Sequence, residues 1–136
     1  MYLNATGTTL GDNPGEKIIV YGVYHSATGK ATYANFGRYG SWALNGVGGM
    51  SNNDYSGSAE EYLPNNPDAK YLYVAKLSRM DDSKNMTSVI RSGVGVSGIE
   101  LENPCFIGYL AYVEPESGIS PAWSELVYDR AMKINS

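Results

Sequence analysis

Three short stretches constrain this chain more than anything else in it: KIIVYGVYHS (17–26), KYLYVAKLS (70–78) and CFIGYLAYV (105–113). Each is rich in β-branched and aromatic residues and of strand length. In the first, Ile18, Val20 and Tyr24 share one face and Ile19, Tyr21 and Val23 the other, so the spacing predicts a strand buried on both sides. In the second, Tyr71, Tyr73, Ala75 and Leu77 alternate with Leu72, Val74 and Lys76. The third is too short to cross a bilayer as a helix.

The residues between these runs suggest how they connect. SATGK (26–30) is turn chemistry, and KATYANFG after it reads as the return strand of a hairpin. Residues 1–15, rich in Gly, Thr, Asn and Asp, read as an N-terminal arm. From 37 to 67 the pattern breaks into glycine and asparagine, which predicts a short strand near SWAL (41–44) and then a long irregular loop. DDSKN (81–85) reads as a turn, and 86–97 and 103–114 as two further strands. In the tail, Ser120 as N-cap, Pro121 at the first helical position, and Trp123, Leu126, Val127 and Ala131 at helical spacing predict a helix over 120–134. A strand over LVYDRAMKI is the alternative. The expected fold is mainly β: a single-domain sandwich or barrel of about six or seven strands, with a long central loop and a short C-terminal helix.

Composition narrows the function. With 136 residues the chain is expected to be one domain with a core of its own. Only 18% of residues are charged, the net charge is −4, and the ten Lys and Arg are scattered singly, which argues against a nucleic-acid partner. One cysteine, Cys105, excludes an intrachain disulfide framework. The first residues have neither a basic stretch nor an apolar run of signal-peptide type, so a soluble protein, virion-borne or extracellular, is the expectation, with no membrane insertion.

No motif here carries its confirming context. Gly93, Gly95 and Gly98 in SGVGVSG (92–98) match the G-x-G-x-x-G spacing, but Pro104 would stop the helix that a dinucleotide site requires. ATGKA (27–31) has Tyr24 where a P-loop needs glycine and Ala31 where it needs Ser or Thr. Asn52, Asp54, Ser56 and Glu60 alternate oxygen-bearing side chains in the manner of a calcium loop, and form the candidate metal set. His25 pairing with Cys105, or the carboxylate pairs Glu60/Glu61, Asp81/Asp82 and Glu100/Glu102, would be the starting points for a small hydrolase. The NAT (4–6) and NMT (85–87) triplets fit the N-glycosylation pattern.

The clearest bias is aromatic. Tyr33, Tyr39, Trp42, Tyr55 and Tyr62 fall in and around the irregular middle segment, and Tyr and Trp supply contact energy at low entropic cost. They are the candidate interface. The expected function is a non-enzymatic structural subunit without cofactor, assembling with copies of itself or neighbouring structural proteins, as in a viral particle, tail or surface filament. The alternative is a carbohydrate-binding module or lectin that uses the aromatic residues of 33–62.

Overall fold

The structure is a computed structural model and describes residues 2–4, 7–80, 88–93 and 98–135. In chain order its strands are β1 (Tyr2–Asn4), β2 (Lys17–Val23), β3 (Ala34–Gly40), β4 (Gly46–Ser51), β5 (Leu72–Ser78), β6 (Ser88–Val89), β7 (Cys105–Ala111) and β8 (Arg130–Ile134). A one-turn helix, α1 (Asn52–Tyr55), follows β4. The protein is mainly β, with two three-stranded antiparallel sheets, β7-β3-β4 and β5-β2-β8. A short strand extends each at one edge: β1 pairs with β7, and β6 runs parallel to β5.

The alternation read in the sequence now has a cause. Ile18 and Val20 of β2 and Tyr73, Ala75 and Leu77 of β5 point at Ala34 and Phe36 of β3, Met50 of β4, and Cys105, Ile107, Tyr109 and Ala111 of β7, in one core. The two sheets therefore face each other, each fully buried large apolar side chain contributing roughly 1.5–3 kcal/mol. On the outer face of β2, Ile19, Tyr21 and Val23 are only half-buried, so the strand is not covered equally on both sides.

Several expectations are corrected. The strands flanking SATGK do not pair with each other: β2 lies in one sheet and β3 in the other. The backbone N–H groups of Lys30 and Ala31 both bond the carbonyl of His25, winding the chain tightly enough to send it across the core. SWAL is not a strand but the turn between β3 and β4, with Leu44 at φ 53°. The segment 37–67 is not a long irregular loop, because it contains the end of β3, then β4, α1 and a series of turns. Of the strand expected over 86–97, only β6 stands among the described residues, and the 81–85 turn lies outside them.

The C-terminal helix is also replaced. A single 3-10 turn, Trp123–Glu125, precedes β8, whose residues pair with β2 from Lys17↔Ile134 to Tyr21↔Arg130. β2 bonds β5 on one edge only, and a helical tail would leave the polar groups of its other edge without a ladder. That requirement outweighs the helical spacing of Leu126, Val127 and Ala131. The N-terminal arm is likewise built into the fold: β1 pairs with β7, Thr8 and Cys105 exchange backbone hydrogen bonds of 2.9 and 2.8 Å, and Leu10 is fully buried. Among the described residues no helix is long and apolar enough to cross a membrane.

The irregular segments are held by Arg79, buried just beyond β5. Its guanidinium donates to the carbonyls of Leu10, Ile99 and Glu100, joining the N-terminal segment and the approach to β7. Arg79→Met should lose about 3 kcal/mol or more, since three carbonyls lose a charged donor at once. Urea unfolding at neutral pH measures it; an unchanged midpoint would mean that these segments are held by something else.

Candidate functional site

The structure separates the five aromatic residues proposed as an interface. Tyr55 is completely buried, its ring stacked on that of Tyr73 with centroids 4.1 Å apart, so it belongs to the core and not to a surface. Trp42 stands at the tip of the β3–β4 turn and is 63% exposed. Tyr62 is partly exposed, with the Lys76 ammonium 5.0 Å from its ring centroid. Tyr33 and Tyr39 stay together on the outer face of the first sheet, lining a cleft of about 380 Å³ with Asn35, Gly37, Ser51 and Asp54.

The outer face of the second sheet is of different character. A groove of about 420 Å³ runs over Ile19, Tyr21 and Val23 of β2, Leu72 and Val74 of β5, and Met132 of β8. Val127 (63% exposed) and Met132 (46%) stand beside Tyr128 and Ile134, which are also exposed, making a continuous apolar surface. β8, with all five residues exposed, closes this sheet as its edge.

Between the sheets lies a polar centre that the sequence did not announce. Asp129, just before β8, turns inward over Gly22, where any Cβ would collide with its Oδ1. Across from it stand Tyr73 of β5, Tyr55 of α1 and Tyr109 of β7. Neither carboxyl oxygen of Asp129 nor any of the three hydroxyls has a hydrogen-bond partner among the described residues. Burial pushes the Asp129 carboxyl up to about 7. The neighbouring Tyr73 hydroxyl opposes that rise. Burial first, then the charge of Asp129, drives the hydroxyls of Tyr55, Tyr73 and Tyr109 well above the usual phenol range. The one signal in the sequence was Gly22, a glycine on the inward face of an otherwise bulky strand.

The candidate catalytic and metal residues do not converge. Cys105 is buried on β7, and burial raises its thiol, the opposite of an activated thiolate. The buried His25 ring uses Nε2 on the carbonyl of Val127 at 3.3 Å, and burial lowers its pKa. Asn52 turns its carboxamide oxygen to Ser26 Oγ and the backbone N–H of Ala34, both at 3.0 Å, away from any shared site with Asp54, Ser56 and Glu60. Asp54 instead accepts from the backbone N–H of Ser51 at 2.9 Å. No group of three or more His, Cys, Asp or Glu that could hold a metal occurs among the described residues. Lys30 of the P-loop-like ATGKA pairs with Glu114 and Glu125 at 2.6 and 3.0 Å. Within the glycine triplet, Gly93 has φ 131° and a Cβ on Gly98 would come within 3.1 Å of the Gly93 carbonyl oxygen, while Gly95 lies outside the described residues, as do Asp81, Asp82 and Asn85.

Compared with protein-family models, with curated proteins and with solved structures, the chain matches none.

The polar centre makes a pH prediction. The folded Asp129 carboxyl titrates near 7, above its ordinary value of 3.8, so its protonated form favours the fold. That contribution is complete below pH 4, declines as pH rises toward 7, and is absent above, a loss on the order of a few kcal/mol. His25, whose pKa is lowered, acts in the opposite sense by weakening the fold as pH falls below its ordinary value of 6.5. Asp129→Asn should remove the first effect and leave the second, so the variant gains on the wild type at pH 8 but not at pH 4. Urea unfolding at both values checks it; parallel curves for the two proteins would show that the carboxyl is solvated.

Proposed function

We propose that this protein is a non-enzymatic structural subunit, a β sandwich that assembles with copies of itself or with neighbouring structural proteins, of the kind that builds particles, tails or surface filaments. The observation that carries this reading is the outer face of the second sheet. Ile19, Tyr21, Leu72, Val74, Val127, Tyr128 and Met132 form one apolar surface there, and contiguous apolar patches of this kind mark association sites. Covering each such side chain is worth roughly 1.5–3 kcal/mol, and association costs about 4–15 kcal/mol in lost freedom, so several must be covered together. The groove offers several. Among the described residues β8 is the last strand of its sheet, beside the same patch, and a sheet edge can accept a further strand.

This reading moves the interface away from the middle segment, because Tyr55 is spent in the core, and leaves Tyr62 at the rim of the groove. It also fits the weak charge of the chain, since a subunit buried among copies of itself has little use for long-range steering.

Light scattering coupled to size exclusion, or sedimentation velocity, should find a concentration-dependent oligomer. The double variant Val127→Asp with Met132→Glu should shift it to monomer by 100-fold or more in dissociation constant, about 2.7 kcal/mol, while circular dichroism stays unchanged. A wild-type protein that stays monomeric as its concentration is raised to the millimolar range would end the proposal.

A further inference from the structure

We propose that the apolar groove on the second sheet is filled by the β3–β4 turn of a second copy of this chain, with Trp42 and Leu44 as the side chains that enter it. The inference rests on the assembly reading and names its contact, bringing one residue of the middle segment back as the part that docks. The turn, SWALNG (41–46), presents a tryptophan 63% exposed and a leucine 68% exposed. A turn that only reversed the chain would carry glycine or small polar residues there. Leu44 also holds φ 53°, a left-handed conformation that glycine or asparagine adopts readily and leucine only at a cost. A large apolar side chain kept against the preference of its own backbone implies a use for that side chain.

The turn is fixed before any partner arrives. The backbone N–H of Trp42 donates to Asn103 Oδ1 at 3.1 Å, and that of Ser41 to the carbonyl of Pro104 at 2.9 Å. The Gly40 N–H bonds the carbonyl of Asn45 at 3.1 Å, and the Asn45 side-chain amide donates to the carbonyl of Gly98 at 3.0 Å. Little freedom is therefore lost when the turn docks.

The groove suits this occupant. Residues 41–46 include no charged side chain, so no ion is stripped of water as the turn enters an apolar site. Arg130, the charged residue of the lining, can lie over an indole face, and Met132 and Tyr21 offer the thioether and aromatic contacts that an indole takes. A volume of about 420 Å³ is that of a small-ligand site, which fits two side chains better than a whole sheet face.

The turn cannot enter the groove of its own chain. Its supports, Gly98 and Asn103, flank Ile99 and Glu100, whose carbonyls are held by Arg79 just beyond the end of β5. The groove covers the beginning of that strand, from Leu72 to Val74. Turn and groove thus belong to opposite ends of the molecule, and each copy offers both, so the contact runs head to tail. With a tryptophan burying about 150–250 Å², it falls below the roughly 1,200 Å² at which stable interfaces begin. It is weak singly and gains by repetition.

Two variants separate the halves of the contact. Trp42→Ser with Leu44→Asn removes the docking side chains and gives position 44 a residue that accepts its φ. Val127→Asp with Met132→Glu spoils the groove. Sedimentation velocity should find each variant monomeric where the wild type associates, its dissociation constant raised about thirtyfold or more. An equimolar mixture should form a one-to-one complex that grows no further, since one variant keeps its groove and the other its turn. If the turn variant assembles like the wild type while the groove variant does not, the groove takes another part of the neighbour; the proposal then falls and the assembly reading stands. A mixture that stays monomeric also overturns the proposal, and a wild type monomeric at every concentration ends both. Should the turn variant not fold, Trp123→Phe leaves Trp42 as the one tryptophan of the chain, and its emission should shift to the blue as the assembly forms. Assembly with unshifted emission overturns the proposal.

Discussion

Three rings hold the two sheets together. Phe36 comes from the first sheet, Tyr73 from the second, and Tyr55 is delivered between them by the single turn of α1. Tyr55 and Tyr73 stack at 4.1 Å, Phe36 lies 6.1 and 6.3 Å from the pair, and Tyr24 meets Tyr55 edge-on at 5.7 Å. Each such contact adds about 0.5–1.5 kcal/mol beyond the area it buries. The stack also sets the chemistry of the interior. Two of its three rings carry hydroxyls, so the arrangement that joins the sheets brings polar oxygens inside with it, and Asp129 enters their company through the gap that Gly22 leaves.

With both inner faces committed to this core, the two outer faces differ from it and from each other. The second sheet keeps bulky apolar side chains where water could reach them. The first has glycine at facing positions of β3, β4 and β7, and beside it the stacked rings of Tyr39 and Phe106. Large side chains favour contact with another protein surface of similar shape.

The legible parts of the fold were those where one residue type dominated locally. β2, β5 and β7 declared themselves through unbroken β-branched and aromatic runs. β4, GVGGMS, did not, because half of its residues are glycines that carry no alternation, yet those glycines define the face it helps to form. SATGK announced a turn correctly, but a turn signal does not tell in which sheet the next strand will lie. The tail misled for another reason: Leu126, Val127 and Ala131 fit a helix as well as a strand, and what decided was the open edge of β2, a fact of tertiary structure. Among the aromatic residues singled out, spacing alone could not sort inside from outside. Tyr55 and Tyr62 look alike until α1 turns one of them into the core.

The pairing of chain ends with distant strands has a cost during synthesis. Ile18 finds Lys133, and Tyr2 finds Leu110, so both sheets wait for residues more than a hundred positions downstream. Closing such long loops is slow, and the incomplete chain exposes one edge of β2 for as long as the wait lasts. Nascent or truncated chains are therefore the vulnerable species. A ribosome that stalls before residue 130 would release a protein with a core nearly complete and one adhesive edge, the starting material of an aggregate.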